Sequence, residues 1–170
     1  KSEAGRVDWD AFLRAVLPHV DLFTPSYEDL RVLVGAEGAA DSKLADCDRL
    51  ARRFIDYGTA AVAIKLGANG LYLRTTPDPA RWQMTGRVVP GDIDAWTGRV
   101  MLAPCFEVDV LGTTGAGDVA GAGFLSAYGC GCSPEDALVA ATAAGACSVE
   151  GPDANSGVTP WPALWKRVRS

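Results

Sequence analysis

Apolar residues in the first third of the chain recur at helical spacing and then switch to short continuous runs. Trp9, Phe12, Leu13, Val16 and Leu17 fall on one helical face, and Pro18 ends that pattern. Val20 to Thr24 reads as a short buried strand. Ser26 opens a second helix carrying Leu30, Leu33 and Val34, closed by Gly35. A third helix runs from Ser42 through Leu44, Cys47, Leu50, Ala51 and Phe54 to Gly58, and Ala60 to Lys65 is again an apolar strand. The alternation predicts an α/β fold of βαβ-type units, with a mostly parallel sheet flanked by helices.

Asn69-Gly70, between Val62-Ala63-Ile64 and Leu71-Tyr72-Leu73, predicts a tight hairpin turn, since both residues tolerate positive φ. Thr75 to Gly98 mixes Pro77, Pro79 and Pro90 with Trp82 and Trp96 and reads as hairpins or an ordered loop. Phe106 to Val110 is the next expected strand, Leu111 to Gly117 a glycine-rich loop, and Asp118 to Tyr128 a helix with small residues on one side. Ser133-Pro134-Glu135-Asp136 combines an N-cap, a proline at the first helical position and acids in the first turn, so a helix should run to about Val149. Trp161 to Val168 forms a last short helix.

At 170 residues, 48% apolar, the chain supports one globular core. Sixteen Lys and Arg against 21 Asp and Glu leave a formal charge of −5, which offers no electrostatic grip on a nucleic-acid backbone. The small-and-apolar stretch from Ala137 to Val149 is too short to cross a bilayer, so no membrane partner is expected. Lys1 to Arg6 lacks the basic-then-apolar pattern of a secretory signal. The five cysteines are odd in number and contain no CxxC pair, which fits reduced thiols in a cytoplasmic protein. Cys130-Gly131-Cys132 reads as a turn, and His19, after a proline at a helix end, as a surface or capping residue. A mechanism built on histidine has little room.

The chemistry concentrates between Val110 and Phe124. Gly115, Ala116 and Gly117 leave their backbone N–H groups unobstructed, and the helix beginning beside Asp118 adds partial positive charge there, forming an anion nest without lysine. Asp118 is then a carboxylate beside the cradle, able to take a proton from an alcohol. A phosphate cradle next to a base points to phosphoryl transfer to a hydroxyl. Three other readings compete. Asp118 could merely cap a helix while the glycines permit close packing. A Walker A loop fails because no Lys-Ser or Lys-Thr follows the glycines. A dinucleotide fingerprint fails because the helix is followed by Gly129-Cys-Gly-Cys-Ser-Pro and another helix, with no second strand.

Thr113-Thr-Gly-Ala-Gly-Asp118, followed by Ala122-Gly-Phe124, resembles the C-terminal signature of the ribokinase-like, or PfkB, carbohydrate kinases. The resemblance implies that Asp118 is the catalytic base and that the amides of Gly115, Ala116 and Gly117 form the anion hole. Lys65-Leu-Gly-Ala-Asn-Gly70 is similar to the family's T-x-G-x-x-G turn, which implies ATP contacts from Lys65, Gly67 and Gly70, joined by Thr114 of the signature. Pro25-Ser26-Tyr-Glu-Asp29 stands where the family's N-x-x-E motif organises magnesium; Ser26 replaces the asparagine and Asp29 the glutamate, so Asp29 is the implied metal residue. The same two residues also satisfy an ordinary helix-capping pattern. Thr142 and Ala143, with the loop Gly151 to Gly157, match the adenine-side wall. Gly112 stands where many members carry an aspartate that supports a monovalent cation, so the resemblance gives no support for potassium activation.

The implied fold is the C-terminal portion of a ribokinase-like, Rossmann-like three-layer domain, with residues 1–170 as its nucleotide-binding and catalytic half. The sugar-binding and lid segments have no counterpart here, so the chain is expected to be a fragment, inactive in isolation. The implied activity is ATP- and Mg²⁺-dependent transfer of the γ-phosphate to a sugar or similar small alcohol, in a cytoplasmic protein for which a homodimer is one allowed assembly. The alternatives are a nucleoside (adenosine-like) kinase and a non-catalytic nucleotide-binding regulatory module, the latter favoured by the departures at Ser26, Asp29 and Gly112.

Overall fold

A computed structural model describes residues 7–34, 42–86 and 88–169. Helix α1 (Trp9–Val16) is capped by Asp8 and runs into a 3-10 turn, Leu17–His19, where Pro18 cannot continue the α-helix. Strand β1 is short (Leu22–Phe23). Ser26 caps α2 (Tyr27–Leu33) and Ser42 caps α3 (Lys43–Asp56), each accepting the backbone N–H three residues on. The expected stop at Gly35 and the segment Lys1 to Arg6 lie outside the described residues. Strand β2 (Ala61–Lys65) and strand β3 (Leu71–Thr75) flank a 3-10 turn over Gly67–Asn69; Gly67 and Gly70 take positive φ, +60° and +92°, and Asn69 does not.

The described sheet has the order β1-β2-β3-β4, with β4 spanning Val100–Ala103. It is mixed rather than mostly parallel: β1 runs parallel to β2, but β2–β3 and β3–β4 are antiparallel. The reason is connection length, since a turn as short as residues 66–70 can only return the chain antiparallel. The expected strand at Phe106 to Val110 is irregular backbone. Pro104 ends β4 by withholding a ladder donor, and β4 is the edge of the described sheet. Between β3 and β4 the chain forms two short helices, α4 (Pro79–Gln83) and α5 (Ile93–Trp96), instead of hairpins. They serve to bury Trp82 and Trp96, whose rings pack edge-on against each other and onto Tyr128 and Phe124.

Three layers result. Val62, Ile64 and Tyr72 face a core made with α1, α2 and α3, while Ala61, Ala63, Leu71 and Leu73 face a second core with the C-terminal helices. Those helices are α6 (Ala116–Gly129), α7 (Pro134–Val149) and α8 (Trp161–Val168). Both faces of β2 are therefore buried, which explains its continuous apolar run. Helices α6 and α7 approach closely because small residues meet. A Cβ on Gly123 would lie 2.8 Å from the Ala144 Cβ and 3.0 Å from the Ala140 carbonyl oxygen. Among the described residues no helix is long and apolar enough to cross a membrane.

Two stability predictions follow from this packing. Gly123→Ala should overpack the α6–α7 contact and cost about 1–3 kcal/mol. Gly129→Ala, where a Cβ meets nothing within 4 Å, should be neutral or stabilising by up to about 1 kcal/mol; urea denaturation of both variants checks the contrast. The second concerns Asp10, whose carboxylate accepts from Tyr57, Arg14 and Arg53 and is lowered from 3.8 to about 2, first by the Tyr57 hydroxyl and then by Arg14. A carboxylate with a depressed folded pKa stabilises above its unfolded pKa and loses that contribution as pH falls through the folded value. Asp10→Asn should therefore lower the denaturation midpoint at neutral pH, and the gap from the parent should close as pH falls from about 4 towards 2.

Candidate active site

The signature loop leaves the sheet region as irregular backbone. Leu111 and Gly112 donate to the Val149 carbonyl at the end of α7, which ties the loop to that helix. A Cβ on Gly112 would lie 3.1 Å from the Pro152 carbonyl oxygen and 3.2 Å from that of Gly151, so a larger residue would press on this turn. Gly115 is the N-cap of α6 and takes φ +79°, a left-handed conformation that glycine adopts without a Cβ clash. Its Cα face is also closed by the loop 151–157, since a Cβ there would sit 2.7 Å from the Ala154 Cβ.

Asp118 is exposed in the first turn of α6, and its carboxylate has no hydrogen-bond or ion-pair partner among the described residues. It does not cap the helix: the N-cap is Gly115, and no side chain caps there. The amides behave unequally. Gly115 and Gly117 donate to no backbone acceptor among the described residues, whereas the Ala116 N–H closes a turn onto the Thr113 carbonyl at 3.3 Å and the Asp118 N–H reaches Gly115 at 3.0 Å. Two unspent donors thus sit at the positive end of a helix dipole, a ready anion site.

Tertiary structure adds a cation. Lys65 ends β2, and its Nζ lies 3.7 Å from where a Gly117 Cβ would be; it forms no ion pair among the described residues. The Lys65 N–H is bonded to the Pro25 carbonyl at 2.9 Å and Ser26 bridges Lys65, so the start of α2 is held against the same strand end. Thr24, read in the sequence only as the end of a strand, places its Oγ1 3.9 Å from the Cβ position of Gly121, one helical turn beyond Gly117. Its only sequence signal was its place at the end of a strand ahead of Pro25-Ser26.

Lys65, Gly115, Gly117 and Asp118 therefore share one surface, with exposed Thr114 beside them. Gly67 is exposed in the β2–β3 turn, its carbonyl accepting from the Cys105 thiol at 3.2 Å. Gly70 is buried, and a Cβ there would overlap the Ala103 carbonyl oxygen at 1.9 Å, so strand packing alone demands glycine. Thr142 and Ala143 are interior residues of α7; the Thr142 hydroxyl donates back to Leu138 and Val139 within its own helix. An open depression of about 600 Å³ lies on the other side of the sheet, between α1 and α3, lined by arginines that already pair with Asp10, Asp46 and Asp48.

The residues present fit a polyphosphate: two free amides, a helix N-terminus and an unpaired ammonium. For magnesium the fit is narrower. Among the described residues no group of three or more His, Cys, Asp or Glu could hold a metal, and the Asp29 carboxylate accepts from the Ser26 hydroxyl that caps α2. That donor set suits a hydrated magnesium held chiefly by phosphate oxygens, not a protein cage.

Residues 7–162 match the model of the pfkB family carbohydrate kinases. No curated protein matches the chain. Among solved structures, Arabidopsis thaliana ribokinase complexed with ribose and ATP is similar at 22% identity and TM-score 0.70, covering 92% of this chain and 43% of that one. Ribokinase from Thermotoga maritima is similar at 24% identity and TM-score 0.68, covering 92% and 45%. Aminoimidazole riboside kinase from Salmonella enterica, complexed with aminoimidazole riboside and an ATP analogue, is similar at 22% identity and TM-score 0.63, covering 94% and 46%. The chain thus spans less than half the length of these structures, and at such identities the likeness establishes the fold.

A methyl on Gly117 would contact Lys65 only at ordinary van der Waals distance, so Gly117→Ala should change stability by less than about 1 kcal/mol. It should nonetheless block close approach to the Gly117 amide. Isothermal titration with tripolyphosphate should show weaker binding at an unchanged melting temperature.

Proposed function

The chain belongs to the pfkB family of carbohydrate kinases, and from that membership and the site geometry we propose that it forms the nucleotide-binding and catalytic half of an ATP-dependent kinase acting on a sugar or similar small alcohol. The observation that supports this most directly is an exposed, unpaired Asp118 beside the free amides of Gly115 and Gly117 and the Lys65 ammonium. In this reading the terminal phosphoryl group sits on the two amides. The Lys65 ammonium draws the polyphosphate to a protein of net charge −5 and holds it as a point charge. Asp118 orients the acceptor hydroxyl and takes its proton as oxygen attacks phosphorus in line. Positioning and charge stabilisation provide most of the rate, because the loop is preorganised by Gly115 and by the docking of Ala154.

Magnesium, when bound with the nucleotide, would neutralise phosphate oxygens; Asp29 is the proposed residue on its water shell. Thr114 and Gly67 are proposed phosphate-side contacts. Thr142 and Ala143, buried in α7, are proposed to support the adenine-side wall, and Gly70 to act by permitting the β2–β3 turn. A cytoplasmic setting is proposed on the free cysteines. A nucleoside acceptor is the alternative within the same chemistry.

A second reading, a non-catalytic nucleotide-binding module, is favoured by one observation: the carboxylate proposed for magnesium is engaged by Ser26. The two separate in a coupled ATP-consumption assay of the complete protein against sugars and nucleosides. Turnover on an acceptor is expected, with Asp118→Asn lowering kcat by about 10²–10⁴ while ATP affinity stays within a few-fold. Near-normal turnover by that variant removes Asp118 from the role of base, and nucleotide binding without turnover on any acceptor favours the module.

A further inference from the structure

Cys130, Gly131 and Cys132 occupy the turn between α6 and α7, at the opposite end of α6 from the signature loop. Their backbone is fully specified. Cys130 is the C-cap of α6, and Gly131 follows in the left-handed region at φ +75°. The Gly131 N–H donates to Tyr128 at 3.0 Å and the Cys132 N–H to Ala127 at 3.0 Å, the paired bonds of a Schellman turn. That geometry folds Cys132 back over Ala127. Cys130, three residues after Ala127, follows it on the same helix face. The turn keeps the two cysteines near each other, close enough for Cys130 to act electrostatically on the Cys132 thiol, with no disulfide between them. Two residues separated by a left-handed glycine fall within the Cα spacing a disulfide spans, roughly 4.4–6.8 Å.

The two sulfurs differ in access. Cys130 is exposed; Cys132 is half-buried against the core. Burial, with Asp136 and Cys130 nearby, pushes the Cys132 thiol up. The carbonyl of Cys132 accepts from the buried Trp96 indole N–H at 3.1 Å, so the backbone on that side of the turn is anchored.

We propose that Cys130 and Cys132 are a vicinal dithiol that closes to an intramolecular disulfide by exchange with a small-molecule disulfide. The Cys130 thiolate attacks one sulfur of that disulfide, forming a mixed disulfide and releasing one small thiolate. The Cys132 thiolate then attacks the Cys130 sulfur, forming the ring and releasing the second. Two protein thiols are oxidised, one small disulfide is reduced to two thiols, and the two protons go to the departing thiolates. The exposed member is the entry point, and the anchored neighbour resolves the adduct.

The test exposes the reduced protein to glutathione disulfide, quenches by alkylation and maps the peptides. The expected product is a 130–132 segment lighter by two hydrogens, with neither glutathione nor alkyl label. Cys105, exposed and elsewhere in sequence, serves as the comparison that keeps an adduct. A lasting glutathione adduct on Cys130 with Cys132 alkylated overturns the proposal, and so does alkylation of both. As a second measurement independent of oxidation, phenylarsine oxide should bind the parent and lose roughly tenfold or more of its affinity in Cys130→Ser, because two thiols chelate one arsenic. Unchanged affinity would place the arsenical elsewhere and overturn the adjacency. Cys130 is exposed, so the serine variant should fold.

Discussion

The position of α6 is set by its close contact with α7. At Gly123 the backbones approach until a single methyl would meet Ala144 at 2.8 Å, and at Gly145 until one would meet the Ala120 Cβ at 3.3 Å. Close-packed small residues leave no room for sliding, since interiors tolerate little change in volume. The axis of α6 is therefore set by steric fit, and with it the direction in which its first amides point. A helix N-terminus attracts anions wherever it lies, but it becomes a site only when its position is held against other chemical groups.

Those groups come from the sheet. Lys65 ends the strand that is buried on both faces, so its backbone is among the best supported in the molecule. From there the side chain reaches across to Gly117, while the bridge at Ser26 brings the start of α2 alongside. A rigid strand end, a rigid helix start and a capped neighbouring helix meet at one edge. This is the edge at which open α/β sheets generally bind ligands, because strand and helix termini expose unpaired backbone groups there. The opposite end of α6, by contrast, is closed by the Schellman turn at Cys130 to Cys132.

The signature loop also shows how a glycine-rich segment divides its labour. Gly115 supplies a backbone conformation and admits Ala154; Gly117 leaves an amide open beside a cation; Gly112 yields space to the carbonyls of Gly151 and Pro152. In sequence these are three glycines within six residues. In space Gly112 and Gly115 each have a separate steric reason, whereas at Gly117 a methyl would fit; of the three, Gly115 and Gly117 have N–H groups with no acceptor among the described residues.

Much of this was legible in the sequence because its causes are local. Ser26, Ser42 and Ser133 each announce a helix through a bond spanning three residues, and the Asp118 loop announces an anion site through its glycines and the helix after it. The rest depends on which distant segments meet. Whether β3 pairs antiparallel, whether Phe106 to Val110 finds a neighbour, and whether Trp82 and Trp96 enter the core depend on the space left by other elements. So does the fate of Thr142 and Ala143, which lie buried within α7, and of Lys65, whose path to Gly117 spans 52 residues of sequence. Hydrogen bonds within a turn or cap act over a few residues and leave a readable pattern, whereas packing sums over contacts far apart in the chain and leaves none until the chain is folded.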